Sequence, residues 1–450
     1  MDNKAATLEL GTKPIGKLLW QYAMPAIIAM TAASLYNMVD SIFIGHGVGA
    51  LAISGLAITF PLMNLSTAFG AMVGVGAATI LSVRLGQKDY SSANRILGNC
   101  LTMKVITGVL FMAVCLLWLD PILRFFGATD NTLPYAREYM QVILAGNIFT
   151  HIYFGQNALL RSISKPKIAM YSTIMTVLIN TALDPLFIYV FGWGIRGAAI
   201  ATVLSQCICL VYQTRFFLLR DGIIRYQKGI YALHGRVVKD ILSIGLAPFL
   251  MNCCACVVVI FGNKGLLRYG GDLAVGAYGI VNRVGFIFAM IVMGLNQGMQ
   301  PIAGYNFGAR LFKRLMSVYY KTMVYATLVC LVAFCVGVFL PEYCVRLFTH
   351  DDELVLIATP AMVLYTCTFP VVGFQMVTTN FFQSIGKAKI SIFLSLTRQM
   401  IFLLPGLIVL PLYYGTYGIW YAIPLSDFLS AMLTAIIFFI YRRQYKAIIN

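Results

Sequence analysis

The chain has 450 residues, of which 60% are hydrophobic and 11% charged, with a formal net charge of +17. A soluble globular domain is about 45–50% apolar and about 25% charged, so this composition indicates a polytopic membrane protein. The excess of Lys and Arg does not indicate a nucleic-acid partner, because these residues stand in short segments between long apolar runs. We therefore expect the chain to lie in the lipid bilayer and to bind no nucleic acid.

Twelve apolar runs are each long enough to cross a bilayer, which requires about 20 residues. We predict an all-α membrane protein with twelve transmembrane helices and no β domain. The runs cover residues 16–42, 51–83, 97–119, 135–160, 168–191, 196–219, 240–267, 274–303, 317–340, 354–383, 390–413 and 418–441.

The distribution of basic residues predicts the topology. Lys and Arg are concentrated at both termini and in the connections that follow the even-numbered runs. Short cytoplasmic segments carry such an excess of Lys and Arg. Both termini are therefore predicted to be cytoplasmic.

The second half of the chain repeats the first half at an offset of 222 residues. Gly76 aligns with Gly298, and Arg124 with Arg346. Repeats of this kind are typical of transporters that rock two lobes around a central site. We predict an N-terminal lobe with helices 1–6 and the cation site (1–220), a cytoplasmic connection (221–239) and a C-terminal lobe with helices 7–12 (240–450).

Of the sixteen acidic residues, thirteen lie at or outside the predicted membrane edges, and three are taken to lie clearly within apolar runs: Asp40, Asp184 and Asp427. A charge in the bilayer centre costs about 2.5–3.5 kcal/mol on insertion scales, so such acids are candidates for function. Asn180 precedes Asp184 by one helical turn, and Pro185 removes a backbone donor directly after it. This oxygen-rich face suits a proton or a sodium ion. The alternative is that Asp40 and Asp184 stand at interfacial helix ends.

Other polar residues can complete the same site. Tyr36 and Asn37 lie on the Asp40 side of the first predicted helix. Two carboxylates at one depth can share a proton. Asn157 and Thr202, in the fourth and sixth predicted helices, are further candidates, although the backbone of its own helix can equally satisfy either side chain.

The second half does not repeat the acidic pair. Asp427 has Arg283 and Arg398 as intramembrane partners of opposite charge, and a structural ion pair is favoured over a transport role. Met293 and Gln297 are candidates for lining a substrate path, since thioether and aromatic surfaces suit flat organic cations. The same residue types also form ordinary packing surfaces.

Motifs for soluble enzymes do not occur in the sequence. It contains no Walker loop, no HExxH and no GxSxG at a strand–helix turn. We expect neither enzymatic activity nor ATP hydrolysis, no cofactor, and no metal site other than one for a coupling Na⁺ at Asp40, Asn180 and Asp184.

Several segments resemble the multidrug and toxic compound extrusion (MATE) family. They are the opening of the second helix at 51–55, Arg84-Leu85-Gly86 at its end, and the repeat of that end at Asn306-Phe307-Gly308. The six-plus-six helices and the basic connection match as well. Pro25 and Asp40 in the first helix, with Asn180 and Asp184, resemble the DinF-like branch.

The resemblance implies a bacterial or archaeal inner-membrane exporter that exchanges inward H⁺ or Na⁺ for outward cationic, amphipathic drugs. We expect it to act as a monomer. The alternative within the same superfamily is a flippase for a lipid-linked saccharide or another lipid, which Arg283 and Arg398 support. The implied roles are a cation site at Asp40, Asn180, Asp184 and Thr202, lobe-lining positions at Tyr139 and Asn157, and a bend of helix 1 at Pro25 when Asp40 is protonated.

Overall fold

The computed structural model describes residues 3–218, 222 and 224–449, and it describes all but a few side chains of these segments. In this part of the chain every regular element is helical, so the predicted all-α fold is confirmed. The helices form two compact units. Unit 1 contains Ile28–Phe249 and the described residues up to Lys13, and unit 2 contains Pro14–Ile27 and the residues from Leu250 onward.

The helices of the first half are α1 Asn3–Thr12, α2 Ile15–Gly47, α3 Ala50–Gly86, α4 Tyr90–Leu117, α5 Leu119–Phe125, α6 Leu133–Ala145, α7 Asn147–Ser162, α8 Pro166–Pro185, the π-helical segment π1 Leu186–Val190, and α9 Gly194–Leu218. Those of the second half are α10 Gly235–Gly308, α11 Phe312–Phe339, α12 Pro341–Arg346, α13 Asp352–Thr366, α14 Phe369–Ser384, α15 Ala388–Leu396, π2 Thr397–Leu403, α16 Leu404–Tyr414 and α17 Thr416–Ile449. At Gly271 α10 leaves helical geometry and divides into two spans.

Eleven of the predicted runs correspond to spans in the described chain. Ten helices are long and apolar enough to cross a membrane, and α13 with α14 forms a further span bent by 49°. The remaining predicted run, 135–160, is covered by α6 and α7, which have 13 and 16 residues and meet at Gly146. The absence of a Cβ at Gly146 allows Val203 of α9 to approach the backbone at this break.

The sequence repeat extends to the packing of the side chains. Each unit has an apolar cluster, and residues 222 positions apart occupy the two clusters. The repeat therefore encodes two similar cores. The matched pairs are Ile44 with Leu266, Ala52 with Ala274, Leu123 with Val345, Ala136 with Ala358, and Met140 with Met362.

Two helices belong to both units. The first half of α2 is part of unit 2, and the chain enters unit 1 between Ile27 and Ile28. The first part of α10 is in unit 1, and the chain enters unit 2 between Phe249 and Leu250. These two crossing points are also 222 residues apart, so the exchange of half-helices is part of the repeat.

Glycines allow each exchanged half-helix to lie directly against its host unit. In unit 1 a Cβ at Gly76 would overlap the carbonyl of Ile241, and a Cβ at Gly245 would overlap the backbone of Met72. In unit 2 a Cβ at Gly298 would lie 2.6 Å from the Cα of Ala23. Backbone contacts this close need glycine at these positions.

The basic connection between the halves is bound to unit 1 over much of its length. Asn99 of α4 donates to the carbonyls of Ile230 and Ala232 at 3.2 and 3.0 Å and accepts from the His234 backbone at 2.8 Å. The hydroxyl of Thr102 donates to the backbone carbonyl of Tyr231 at 2.8 Å. Residues 230–234 therefore form an ordered strap on α4.

A side-chain cap begins α4 outside the apolar spans. Asp89 accepts a hydrogen bond of 3.0 Å from the backbone of Ser92. Hydrogen bonds from the side chain and the backbone of Ser92 favour the ionised carboxylate, and they hold the pKa of Asp89 below its ordinary value.

The glycine contacts of α10 predict the effect of adding one methyl group. Gly245→Ala forces the backbone of Met72 to move, and overpacking of this kind costs about 1–3 kcal/mol. We expect the thermal midpoint of the purified protein in detergent to fall by several degrees. The matched control is Gly262→Ala in the same helix, where a Cβ meets nothing within 4 Å. Equal midpoints for the two variants would contradict the close packing of α10 on α3.

Candidate cation site

The site in unit 1 is built on an irregular part of the fifth span. The regular helix α8 ends at Pro185, and the π-helical segment π1 follows at once. Pro185 has no N–H to donate to the preceding turn, so the backbone ladder is interrupted there. Asp184, fully buried, stands directly before this interruption. Such π segments often occur at functional sites.

Asn180 holds Asp184 from the same face of α8. In the amide orientation that satisfies both neighbours, its nitrogen donates to Asp184 Oδ2 at 2.9 Å. Its oxygen then accepts from the hydroxyl and the backbone N–H of Thr202, at 3.3 and 3.1 Å. The predicted one-turn spacing thus places a donor on Asp184, and Thr202 of α9 fixes the direction of that donor.

Asp40 approaches the same carboxyl group from α2. It is 6% exposed, and its carboxyl group lies within hydrogen-bonding reach of that of Asp184. The two elements are also joined by the hydroxyl of Tyr189, which donates to the carbonyl of Phe43 at 3.0 Å. Gly47 leaves room for the Tyr189 ring. Helix α2 therefore packs along π1 and brings the two acids together.

The arrangement leaves acceptor capacity unused. Among the described residues, no donor reaches Asp40 Oδ1 or Asp184 Oδ1. Two neighbouring carboxyl groups with free oxygens can bind one proton between them. With the hydroxyl of Thr202 and a reoriented Asn180 amide, they also offer the oxygen ligands that a hard cation requires.

The other predicted positions do not all join this cluster. Tyr139 is buried in the apolar cluster of unit 1 that also contains Ile44 and Ile188. Asn157 donates instead to the carbonyl of Ala169 at 3.0 Å and accepts from Arg161. Asn157 therefore belongs to a separate network.

The remaining candidates lie elsewhere. Pro25 is inside α2, in the part that belongs to unit 2. Met293 and Gln297 are on the second span of α10, also in unit 2. The side chains of Tyr36 and Asn37 lie outside the described residues.

One buried positively charged side chain of unit 1, that of Lys104, was not predicted from the sequence as a site residue. Lys104 is 1% exposed and donates to the carbonyl of Gly70 at 2.6 Å. Its side chain occupies a slot left by Gly74 and Gly155. His151 lies against the same Gly70. Glycines in α3 and α7 opposite a lysine in an apolar helix are the only sequence signal of this contact.

Comparison with known proteins identifies the family. The model of the MatE family matches residues 25–186 and 245–408. The chain belongs to the MatE family. The two matched segments correspond to the two halves of the repeat, so each half matches the MatE model once. The first segment contains Asp40, Asn180 and Asp184.

Curated relatives match the chain along nearly its whole length. The multidrug export protein MepA of Staphylococcus aureus (strain MSSA476) is 25% identical over 430 residues, which are 95% of this chain and 94% of MepA. MepA of Staphylococcus haemolyticus (strain JCSC1435) is 26% identical over 432 residues, 96% of this chain and 94% of the relative.

The MatE fold is also seen in solved structures. An outward-facing multidrug resistance MATE family transporter of the MOP superfamily superposes with a TM-score of 0.90 at 24% identity, covering 98% of each chain. This likeness concerns the fold.

The hydrogen bonds of Asn180 predict the effect of its removal. Asn180→Leu keeps a similar volume but takes the donor from buried Asp184 and the acceptor from Thr202. An unsatisfied buried polar group costs about 1–3 kcal/mol, so we expect a lower thermal midpoint. The control is Asn380→Leu, because among the described residues the Asn380 side chain donates only to the carbonyl of Met376 in its own helix, at 3.1 Å. A midpoint no lower than that of the control would rule out this network.

Proposed function

We propose that the protein exports amphipathic small molecules, mainly organic cations, in exchange for protons. The observation that carries this proposal is the contact of two buried carboxyl groups, Asp40 in α2 and Asp184 in the apolar span Pro166–Val190. Export agrees with the name of the MepA relatives, multidrug export protein. Membership of the MatE family supports transport rather than enzymatic chemistry.

A proton is favoured over sodium by the contact between the two carboxyl groups, because a carboxyl group can donate a hydrogen bond to another only when it carries a proton. In the satisfied orientation the nitrogen of the Asn180 amide, not its oxygen, points to Asp184. A pair that holds one proton keeps acceptor oxygens for this N–H. Binding of Na⁺ would require the amide to turn and to release its acceptor contact with Thr202.

Protonation supplies energy for a change of conformation through α2. This helix carries Asp40 in its unit 1 part and Pro25 in its unit 2 part. Removal of one intramembrane charge is worth about 2.5–3.5 kcal/mol on insertion scales. Only the part of this energy that differs between two conformations shifts the equilibrium between them, so the shift is at most roughly a hundredfold. We propose that α2 bends at Pro25 when the pair takes up a proton, and that the exporter then closes to the outside.

The location follows from the distribution of basic residues. We propose that the protein is a monomer in the inner membrane. Both termini would lie in the cytoplasm, because Lys and Arg are concentrated at the termini and in the connections after even-numbered spans. Drug would then leave toward the outside as protons enter.

Neutralising either acid tests the proposed site. We expect Asp40→Asn and Asp184→Asn each to reduce resistance to organic cations at least tenfold in a host that lacks other pumps, because neither amide can carry the exchanged proton. The growth assay is combined with quantification of the protein in the membrane. Asp130→Asn is the control, since its side chain is 88% exposed and pairs with Arg124 at the surface. Full resistance in both acid variants would refute the assignment.

A gradient experiment separates the two coupling ions. Purified transporter in proteoliposomes is given a fluorescent organic cation and, in turn, a pH gradient or a Na⁺ gradient at equal pH. We expect only the pH gradient to drive accumulation of the dye. Accumulation driven by sodium at equal pH would overturn the proton assignment while keeping the antiport.

A further inference from the structure

An intramembrane ion pair in unit 2 is held from three elements. The Nε of Arg398 in π2 donates to Oδ1 of Asp427 in α17 at 2.7 Å. The hydroxyl of Thr368, between α13 and α14, donates to Oδ2 at 3.1 Å. Asp427 is 2% exposed. Both oxygens of this carboxylate therefore have a donor, and Arg398, rather than Arg283, is the ion-pair partner expected for Asp427.

The guanidinium of Arg398 is satisfied on one side only. A guanidinium has five N–H donors, and Nε uses one of them. Among the described residues, the two terminal nitrogens have no hydrogen-bond acceptor, and the side chain is 30% exposed. Arg398 stands near the middle of the apolar span Ala388–Tyr414. Free N–H donors at this depth must face water or a polar ligand, because hydrocarbon supplies no acceptor.

Arg398 lies on the span of unit 2 that corresponds to the acid-bearing span of unit 1. The span Ala388–Tyr414 is the counterpart of Pro166–Val190 at the 222-residue offset, and each contains a π-helical segment. In unit 1 this span presents the buried acid Asp184, whereas in unit 2 it presents Arg398. At this offset Arg398 corresponds to Thr176 and Asp184 corresponds to Gly406, so unit 2 carries its fixed positive group on the matching span, eight residues before the position of the acid.

Aromatic side chains stand beside this positive group. Tyr365 lies in the neighbourhood of Arg398 and Asp427. Its hydroxyl donates to Asn282 at 3.2 Å, and its ring packs on Phe369 with 5.5 Å between the centroids. A flat amphipathic molecule can therefore place its aromatic body against Tyr365 while a polar group reaches the guanidinium.

We infer that Arg398 binds a carboxylate of the exported molecule, so that unit 2 selects amphipathic compounds carrying a carboxylate beside their cationic amine. This inference rests on the proposed export function. The two terminal nitrogens present a fork that matches the two oxygens of a carboxylate. Asp427 binds Nε and leaves the terminal nitrogens unoccupied, so it orients the guanidinium without filling the fork.

A pair of matched dyes tests the inference. The probes are a rhodamine with a free carboxyl group and its methyl ester, measured by fluorescence anisotropy on the full-length protein in detergent and by uptake into proteoliposomes. In the wild type we expect the acid to bind at least tenfold tighter than the ester. In Arg398→Lys, which keeps the charge beside Asp427, we expect binding of the acid to fall at least tenfold and that of the ester to change less than threefold.

Two further variants keep the experiment decisive. Arg398→Gln with Asp427→Asn replaces the ion pair by a neutral pair, so it avoids a lone buried charge, and it should lose the preference for the acid in the same way. Arg346→Lys is the matched control, because Arg346 is 46% exposed and pairs with Glu342 and Asp352. It should retain the preference.

The outcomes separate the subsite from the export function. Equal wild-type binding of acid and ester, or a parallel loss of both dyes in the Arg398 variants, would overturn the carboxylate subsite. Wild-type protein that binds the acid selectively but moves neither dye under any gradient would support the subsite and refute the export function.

Discussion

The structure depends on the requirement that a polar group in hydrocarbon find its partner within the protein. Asp184 meets it through Asn180 and Asp40, and Asp40 meets it only if α2 lies against π1. The lipid cannot solvate either carboxyl group, so contact between these elements is strongly favoured over separation. The irregular backbone after Asp184 has the same origin, because Pro185 interrupts the ladder where the acid must be presented. One local rule thus accounts for the unusual features of this part of unit 1.

Much of the fold could be predicted because membrane helices are encoded locally. A long apolar run must satisfy its backbone by forming a helix, so every predicted run coincides with helical structure. The repeat could be found because it needs no gap over more than a hundred residues. The contact of Asn180 with Asp184 was equally accessible, since residues four apart on a helix are neighbours. Breaks within runs were not predicted: apolarity alone does not distinguish a straight span from one that bends by 49° between α13 and α14.

Features that depend on tertiary contacts were beyond the reach of the sequence. The exchange of half-helices between the units is set by the close approach of α10 to α3, which the sequence records only as isolated glycines such as Gly76 and Gly245. The position of the Lys104 side chain could not be predicted for the same reason. The carbonyl that it binds and the glycines that accommodate it come from two other helices. The contact of Asp40 with Asp184 joins residues far apart in the chain, so it was expected from the common depth of the two acids in the predicted topology and from the family resemblance, not from spacing.

The two halves share a scaffold but differ in the chemistry of their charges, and this difference separates two tasks. A carboxyl pair can exist with or without its proton, whereas a guanidinium keeps its charge at every physiological pH. The pair of Asp40 and Asp184 therefore has two states that a proton can interconvert. Arg398 with Asp427 has one, held by hydrogen bonds to both carboxylate oxygens. In the proposed cycle, energy from a proton enters where the charge changes, in unit 1. A permanent charge in unit 2 keeps its hydrogen-bonding capacity throughout that cycle, so affinity for the transported molecule would follow from conformation and not from titration of the subsite.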